Sequence, residues 1–352
     1  MNNLLEKRLN AIPIKLVMKL NSIDRFAGQW SAGVHYKPQL LGQLKKSVLI
    51  TSTGASTRIE GAKLSDEDIE KLMQGMSLQK FADRDKQEVQ GYYELLENVF
   101  DSWEDIALSE GVIKHFHKEL LKYVVKDSLH RGEYKKKENK VQMINSEGKI
   151  IATVFDTTPA YLTPKRMTEL VEWTNRALKE EKYPPLLIIG GFLVEFLAIH
   201  PFQDGNGRIS RILTNLLLLK NGYLFAPCVS HEKLIEDNKP NYYLALRKSQ
   251  KTLGTKQENI TDWLEFFFDV ILKQAETAVV LLSKEAIDTM LSQKQLAVWT
   301  YLQTVQDAAP DEIATKTKIG RPTVNQALTK LLKLKKIERI GLGRATRYRK
   351  AN

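Results

Sequence analysis

The sequence is poor in cysteine: Cys228 is the single one in 352 residues. An intrachain disulfide is therefore impossible, and this composition is typical of a protein from a reducing compartment, so we expect a cytoplasmic location. A secretion signal is not expected at the start of the chain, because Glu6, Lys7 and Arg8 interrupt its apolar residues. No apolar run is long enough to span a bilayer, so we expect no membrane association.

Strand-like alternation of apolar and polar residues is also scarce, and the fingerprints of Walker-type and dinucleotide-type phosphate loops are absent. We therefore predict a mainly α-helical fold. A hydrophobic content of 43% in a chain of this length is sufficient for two or three domains. We predict an N-terminal helical region at residues 1–105, a central core with its following helices at 106–285, and a separate C-terminal domain at 286–352.

The most informative segment is a polar loop between two apolar stretches. It runs from His200 to Arg211 and reads HPFQDGNGRISR. The apolar residues before it, 186–199, are too few to cross a membrane and predict a helix buried in a protein core. The second apolar stretch, 209–219, stops before Gly222, a common residue type at a helix end. The polar residues therefore lie between two core helices.

The residue types in this loop favour an anion-binding site. Gly205 and Gly207 flank Asn206, and glycine permits a positive φ and a close approach of the backbone to a ligand. The amides that open the following helix are unpaired and carry its positive dipole end. Arg208 and Arg211 lie three residues apart, so both guanidinium groups can reach one polyphosphate.

Two further residues of the loop indicate chemistry at that anion. Asp204 is its single acid, and a carboxylate beside phosphates is a usual ligand of Mg²⁺. His200 accepts a proton near neutral pH, as a general base on a hydroxyl does. The alternative is a plain interhelix loop, in which His200 caps a helix and the arginines face solvent.

With no position missing, the loop resembles the Fic family signature H-P-F-x-[DE]-G-N-G-R-x-x-R. The resemblance implies a Fic-type helical bundle that transfers AMP from Mg·ATP to a Ser, Thr or Tyr hydroxyl of a target protein, or of the chain itself. It implies His200 as the base, Asp204 as the Mg²⁺ ligand and Arg211 as the ligand of the γ-phosphate. Arg208 would bind another part of the phosphate chain, and Asn206 with the amides beside it would stabilise charge at the α-phosphate. The implied ATP-binding residues are Gly205, Asn206, Gly207, Arg208, Ile209, Ser210, Arg211 and Tyr243.

Tyr243 is included because Tyr242 and Tyr243 are similar to the family's Tyr-Tyr element near the nucleotide base. Stacking or a hydrogen bond at adenine is the implied role of Tyr243. The alternative is that both tyrosines are part of an amphipathic helix and pack in the core.

A second segment, far upstream, resembles the [ST]-x-x-x-E-[GN] inhibitory motif of many Fic proteins. Ser56, Glu60 and Gly61 occupy its three fixed positions. The resemblance implies that Glu60 pairs with Arg211 and keeps the γ-phosphate out of its productive position, without a separate antitoxin. In physical terms, a carboxylate competes with a phosphate for one guanidinium. The alternative is a helix start, because Thr57 and Glu60 also satisfy the capping-box pattern.

Residues 140–155 predict a β-hairpin with a turn at 145–148, because β-prone flanks surround a turn-forming segment. In the Fic family a flap at this position holds a target segment by strand addition. The alternative is a hairpin that only covers the site. Just upstream, residues 132–135 resemble the family's Gly-x-x-Arg approach to the flap, but Lys135 replaces the arginine. The contact that this arginine usually makes is therefore not predicted for this chain.

The C-terminal end is strongly basic. Between Lys316 and Lys350 there are twelve basic residues and one acid, Glu338, so the net charge of this segment equals the +11 of the whole chain. The pattern predicts three helices and two short strands, at 291–304, from 311, from 321, at 337–340 and at 346–349. Three helices followed by a hairpin resemble a winged helix-turn-helix, which is the fold predicted for the C-terminal domain.

We interpret this domain as DNA-binding, since side chains of the third helix would point toward a groove and arginines of the wing would meet phosphates. The predicted DNA contacts are Arg321, Thr323, Asn325, Gln326, Arg344 and Arg347. A winged helix can also dock a protein, and such domains often dimerise, so a protein partner and a homodimer are alternatives.

Three functions fit the sequence. The first is an autoinhibited protein adenylyltransferase that uses ATP with Mg²⁺. The second is a transcriptional regulator whose core only senses nucleotide, against which the intact His200 argues, since binding alone needs no base. The third is another reaction of the same fold: phosphate transfer with a reversed nucleotide, or removal of AMP by water that Glu60 activates.

Overall fold

The computed structural model describes residues 2–9, 12–34, 38–75, 83–124, 129–144, 150–334, 336–341 and 346–351. Within these residues the chain forms fifteen α-helices and four β-strands, which confirms the prediction of a mainly helical fold. The helices are α1 (Asn2–Leu9), α2 (Ile14–Val34), α3 (Pro38–Ile59), α4 (Asp66–Met73), α5 (Asp83–Ser102), α6 (Glu110–Leu120), α7 (Thr163–Glu180), α8 (Pro185–Ile199), α9 (Asn206–Lys220), α10 (His231–Asp237), α11 (Lys239–Gln250), α12 (Thr261–Met290), α13 (Gln293–Thr304), α14 (Pro310–Thr317) and α15 (Arg321–Lys333). The strands are β1 (Lys140–Ile144), β2 (Ile150–Asp156), β3 (Ile337–Ile340) and β4 (Arg347–Lys350).

The chain forms two compact units, Met1–Val279 and Val280–Asn352. The predicted boundary between residues 105 and 106 does not separate two units, because α3 packs against α5, α9 and α10 and so belongs to the same core as they do. The second boundary falls at 279/280, inside α12, where 285/286 was predicted.

The helix pair α8 and α9 lies at the centre of the first unit and carries the polar loop between its members. Nearly every residue of α8 is buried, because α7, α9 and α11 pack against it. Pro185 occupies its first turn, where a proline costs no hydrogen bond. The predicted buried helices on both sides of the loop are therefore confirmed. Among the residues described above, no helix is both long enough and apolar enough to cross a membrane.

The predicted hairpin is present: β1 and β2 pair in antiparallel fashion, from Lys140 opposite Asp156 to Ile144 opposite Ile150. Its predicted turn at 145–148 lies outside the described residues. Strand β2 runs beside α11, so the hairpin lies close to the helix that contains Tyr243.

The second unit consists of α13, α14 and α15 followed by the antiparallel pair β3 and β4. Its core is formed by one apolar face of each helix, including Val298, Ile313, Val324 and Leu328. The predicted order of three helices and two strands is confirmed. Residues 342–345 lie outside the described part of the chain, so the predicted DNA contact Arg344 is not described.

Helices α5 and α6 approach each other very closely at Gly91. A Cβ atom placed there would lie 2.1 Å from the carbonyl oxygen of Leu120. A backbone oxygen cannot move aside as the end of a side chain can, so only glycine fits this contact. Both helices contribute side chains to the polar loop, and Gly91 thus sets the spacing of two sides of that site.

We expect Gly91→Ala to lower the free energy of unfolding by about 2 kcal/mol, because the added methyl group forces α5 and α6 apart. Gly28→Ala in α2 is the matched control, since a Cβ there meets nothing within 4 Å. That change should be neutral or stabilise by up to about 1 kcal/mol. Urea unfolding of the three proteins measures both effects, and equal stability of the two variants would contradict the close contact.

Candidate active site

The loop between α8 and α9 is closed by the side chain of Asn206. Its Oδ1 accepts the amide hydrogen of Phe202 at 2.8 Å, and its Nδ2 donates to the carbonyl oxygen of the same residue at 2.8 Å. Gly205 precedes α9 with a φ of 80°, which glycine adopts without strain. The first bond within α9 runs from Ile209 N to Gly205 O, so the amides of residues 206–208 lie ahead of it and face a potential anion. The Asn206 side chain thus closes the loop, and its predicted contact with the anion stays a prediction.

His200 ends α8 in the left-handed conformation, with a φ of 53°. Its Nδ1 lies 3.3 Å from the carbonyl oxygen of Leu197. Since a carbonyl only accepts hydrogen bonds, Nδ1 carries the hydrogen of the neutral ring and Nε2 is the basic nitrogen. Burial lowers the pKa of His200 to about 4, helped by the nearby positive charge of Lys135. The imidazole is therefore neutral at pH 7 and able to accept a proton.

His117 of α6 supports the loop from below. Its ring stacks on Phe202 with a centroid distance of 3.9 Å. The amide of Gly132 donates to its Nδ1 at 3.0 Å, which leaves Nε2 to donate to the carbonyl oxygen of Asp204 at 3.1 Å. Burial lowers the pKa of His117 to about 4, so this arrangement is held by a neutral ring.

Asp204 is the acidic residue of the loop. Its carboxylate accepts from the amide of Gly205 at 2.6 Å and faces Arg84 at 3.0 Å and Arg208 at 3.2 Å. Burial alone would raise the pKa of Asp204, but Arg208, Gly205 and Arg84 together lower it. Asp204 is thus an ionised carboxylate.

This carboxylate fits a magnesium ion that arrives with phosphates. No cluster of three or more His, Cys, Asp or Glu able to hold a metal occurs in the described part of the chain. Magnesium needs no such cluster, because it is commonly held by one or two carboxylates, phosphate oxygens and waters. Asp204 lies beside the open amides of α9, where phosphate oxygens would be bound.

Arg208 is buried behind Asp204. Its Nη1 lies 2.7 Å from Oε2 of Glu88, and Glu88 Oε1 accepts from Nε of Arg84 at 2.8 Å. Arg84, Glu88 and Tyr92 are spaced four residues apart on one face of α5, and this face points to the motif. The sequence reasoning missed these residues, although their spacing of four is a visible signal.

Arg211 is 2% exposed and is held by the C-terminal end of α3. Its Nε donates to Ser56 Oγ at 2.7 Å, and its Nη2 donates to Ser56 O at 3.0 Å and to Glu60 Oε1 at 2.7 Å. Its Nη1 is buried without a hydrogen-bond partner. Burial disfavours the charge of Arg211, but the carboxylate of Glu60, together with Tyr242 and Tyr92, more than compensates and raises the pKa of Arg211. The structure thus brings together Ser56, Glu60 and Arg211, which the sequence separates by about 150 residues.

Glu60 also explains why Gly207 has no side chain. Gly207 has an ordinary helical φ, so the predicted positive φ holds for Gly205 only. A Cβ at Gly207 would lie 2.3 Å from Glu60 Oε1 and 3.2 Å from Nη1 of Arg211. The carboxylate therefore lies directly against the first turn of α9, where an anionic ligand would bind.

The alternative of a helix start at Thr57 is wrong. Thr57 lies inside α3 and its Oγ1 donates to Thr53 O at 2.8 Å, while α3 ends at Ile59. Gly61 follows with a φ of 108°, a conformation that requires glycine. The end of α3 that presents Glu60 is a C-terminus.

Two contacts fix this end of α3. Arg58 forms a bidentate ion pair with Glu236 of α10, at 2.6 and 3.1 Å, and a third bond to Asp66 at 2.9 Å. Lys239 donates to the carbonyl oxygen of Ile59 at 2.7 Å, which satisfies a terminal carbonyl of the helix. Glu60 is therefore presented to Arg211 by a well-anchored segment.

A buried polar cluster lies behind Arg211. The carboxylate of Glu232 accepts from Ser52 at 2.7 Å, Asn215 at 2.8 Å and Tyr92 at 3.1 Å. These partners come from α3, α9 and α5, so Glu232 joins the helix that carries Glu60 to the helix that carries Arg211. No local sequence pattern indicates this cluster.

The remaining predicted ATP-binding residues differ in position. The side chain of Ile209 is fully buried and packs in the core, because this face of α9 lies against the interior of the bundle. The backbone amide of Ile209 is bonded to the carbonyl oxygen of Gly205. Ser210 is also buried and donates to Gly207 O at 2.7 Å. Tyr243 is half-buried near Glu60, while Tyr242 is buried against Arg211 and Ser210, and burial raises the pKa of Tyr242 to about 12. Tyr242 thus contacts the motif, although the sequence favoured Tyr243.

The predicted DNA contacts of the second unit fall into two groups. Asn325 and Gln326 are exposed on α15, and Thr323 is half-buried. Arg321 and Arg347 form ion pairs inside the unit, with Asp311 and with Asp307 and Glu312. The sequence count of positive charge missed these pairs because their acidic members precede the basic segment.

Comparisons with known proteins identify a family for the central part of the chain. Residues 107–218 match the model of the Fic/DOC family. A probable protein adenylyltransferase of Aquifex aeolicus is 26% identical over 224 residues, which cover 61% of this chain and 62% of that protein. A Fido domain-containing protein of Dictyostelium discoideum is 38% identical over 81 residues, 22% of this chain and 57% of that protein. The chain spans about three fifths of the length of these curated relatives.

Solved structures show the same fold. A Fic family protein from Desulfovibrio desulfuricans superposes with a TM-score of 0.65 and 22% identity over 97% of both chains. Fic-1 from C. elegans superposes with a TM-score of 0.61 and 17% identity, covering 78% of this chain and 75% of that one. The chain therefore contains a Fic/DOC family domain with a Fic fold.

Burial lowers the pKa of His117, His200 and His231, which predicts a loss of stability in mild acid. The pKa of His117 and of His200 is about 4 in the folded protein, against about 6.5 when unfolded. Between these values the unfolded chain binds more protons, so stability falls as the pH falls from 6.5 toward 4. Each of these two rings should cost about 2 kcal/mol between pH 7 and pH 5.

Urea unfolding at both pH values measures this loss. His200→Ala should reduce the loss by about 2 kcal/mol. Substitution of the exposed His115 by alanine should leave it unchanged. If His200→Ala shows the same acid sensitivity as the parent protein, the buried imidazole is not neutral in the folded state.

Proposed function

We propose that this chain is a protein adenylyltransferase that transfers AMP from Mg·ATP to a protein hydroxyl and that Glu60 holds it inactive. The observation that carries the proposal is the contact between Glu60 and the buried Arg211, at the mouth of a complete Fic loop. Curated relatives with the name protein adenylyltransferase support the reaction class.

In the reaction, Nε2 of His200 removes the proton of the target hydroxyl. The hydroxyl oxygen then attacks the α-phosphorus, the bond to the β-phosphate breaks, and pyrophosphate leaves. The amides of residues 206–208 and the guanidinium of Arg208 bind the negative charge of the phosphates. Magnesium bound at Asp204 would supply further charge neutralisation at the phosphate oxygens. The chain thus provides mainly position and positive charge, which is what phosphoryl-type transfers require.

Inhibition follows from competition for Arg211. The guanidinium already has Ser56 and Glu60 as acceptors on two of its nitrogens, and Nη1 remains without one. A γ-phosphate that binds this guanidinium must displace the carboxylate or meet its negative charge nearby. Removal of the Glu60 side chain therefore frees the γ-phosphate position and leaves Arg211 in place.

The alternative functions explain fewer features of the site. A nucleotide sensor needs no base, whereas the hydrogen bond of His200 to Leu197 O orients a basic Nε2. Phosphate transfer with a reversed nucleotide is less favoured, because both glycines of the loop are present. Removal of AMP from a target protein, by water that Glu60 activates, is the competing activity of the same site. Loss of a pre-formed AMP label distinguishes this activity from AMP transfer.

Glu60→Gly should raise AMP transfer roughly tenfold or more, because the γ-phosphate gains its guanidinium ligand. The added change His200→Ala should abolish transfer and leave ATP affinity within about threefold. Transfer of α-³²P-labelled AMP to the chain itself and to added protein, with intact-mass detection of one AMP, measures both.

Lys63→Gly is the control, since Lys63 is an exposed loop residue just beyond the same helix end. It should have no effect on transfer. Unchanged labelling in Glu60→Gly would contradict the inhibitory role. Loss of a pre-formed AMP label in wild type but not in Glu60→Gly would instead indicate AMP removal.

For the second unit we propose DNA binding through α15. The observation that favours it is the division of this helix into a buried apolar face and an exposed polar face with Asn325 and Gln326. Polar side chains on such a face reach base edges when the helix lies in a groove. Arg321 and Arg347 would have to exchange their carboxylate partners for phosphates, so lysines of the same segment are the more available cations.

Gln326→Glu should weaken binding of the full chain to a pool of random 30-base-pair duplexes by roughly fivefold, because a carboxylate on α15 meets phosphates. The same change at the exposed Gln303 of α13 is the matched control and should stay within twofold. Fluorescence anisotropy at two salt concentrations measures both. Equal effects of the two substitutions would reject α15 as the DNA-facing helix.

A further inference from the structure

Lys135 is a buried lysine with three neutral hydrogen-bond acceptors. It is 4% exposed. Its Nζ donates to Asn139 Oδ1 at 2.8 Å, Thr157 Oγ1 at 2.8 Å and the carbonyl oxygen of Ile199 at 3.0 Å. An ammonium has three N–H donors, so this set uses all of them. None of the three acceptors is charged.

These contacts enclose the backbone of His200. The side chain of Lys135 donates to the carbonyl oxygen of Ile199, directly before His200. The backbone amide of Lys135 donates to the carbonyl oxygen of Pro201, directly after His200, at 2.8 Å. His200 is one of only three non-glycine residues with a positive φ in the described part of the chain. This conformation is strained for a residue with a Cβ atom and persists only where neighbouring contacts hold it. Lys135 supplies a contact on each side.

The same lysine joins the hairpin to the loop. Asn139 directly precedes β1 and Thr157 directly follows β2, so its two side-chain partners form the base of the hairpin. Asn139 Nδ2 also donates to the carbonyl oxygen of Phe202 at 2.9 Å, and Thr157 Oγ1 bonds to Asn139. The start and the end of the hairpin are therefore both tied to the loop that carries His200.

The charge of Lys135 acts on His200 as well. Burial lowers the pKa of Lys135 to about 8, with Glu138 acting in the opposite direction. The charged groups that act on His200 are Lys135, which lowers its pKa, and Glu60 and Asp204, which raise it. Loss of the ammonium therefore makes His200 more basic.

We propose that Lys135 is a positioning residue: it fixes His200 and the base of the hairpin in one arrangement. The proposal extends the adenylyltransferase function, because it makes one lysine responsible for aligning the base with the target hydroxyl that the hairpin presents. In this role Lys135 touches neither nucleotide nor target. It acts through the carbonyl groups of Ile199 and Pro201, which lie on either side of His200. It also acts through Asn139 and Thr157.

The first test uses kinetics in the Glu60→Gly background. Lys135→Met should lower kcat by roughly 100-fold and leave KM for ATP within about threefold, because phosphate binding does not involve this residue. Lys135→Arg retains the charge and the donors and should recover at least about a tenth of the lost rate. Lys136→Met, at the exposed neighbouring lysine, is the control and should match the parent protein.

The second test needs no catalysis and so decides the proposal even if AMP transfer is not found. NMR titration of the histidine Cε1–H signals, with His200 assigned by the His200→Ala variant, should show a higher pKa for His200 in Lys135→Met than in Lys136→Met. Hydrogen exchange should become faster in peptides covering 139–157 and 197–204 and stay unchanged in α7. An unchanged His200 pKa and unchanged exchange would overturn the proposal. Uniformly faster exchange with a lower Tm would reduce Lys135 to a general structural role and overturn it as well.

Discussion

The buried guanidinium of Arg211 is the constraint on which the rest of the site depends. A positive charge inside an apolar helix bundle must be paired, because the cost of leaving it alone is several kcal/mol. Ser56 and Glu60 of α3 provide its partners, and Glu60 is the charged one. The contact proposed to block the phosphate position is thus also the contact that stabilises the charge of Arg211 in this structure. A nucleotide phosphate bound there would replace one anion with another, so Arg211 would have a negative partner in both states.

Several features far apart in the chain serve this contact. Gly207 leaves room for the carboxylate, Arg58 and Lys239 hold the end of α3, and Glu232 joins α3, α5 and α9 from behind. Any process that moves the end of α3 must break an ion pair with α10 and a cap on Ile59. The proposed inhibition therefore depends also on contacts outside the motif at residues 56–61.

The histidines show the complementary principle, in which burial keeps a polar ring neutral. His117 and His200 both have a pKa of about 4, and in each ring one nitrogen is assigned by a main-chain partner. His117 uses its neutral form to support Asp204 and Phe202, while His200 keeps a basic nitrogen. Nothing in the sequence spacing of His117 reveals that its ring stacks on Phe202, 85 positions away.

The sequence by itself determined the polar loop between two buried helices, the hairpin, the motif at Ser56 to Gly61 and the helix order of the second unit. These depend on periodicity, glycine placement and spacing within short segments, which are local properties of a chain. Only the tertiary structure decided that Asn206 closes the loop, that Ile209 faces the core, that Arg347 is paired inside its unit and that Lys135 encloses His200. Those outcomes depend on which distant elements pack together, and buried polar groups take whichever partners that packing supplies.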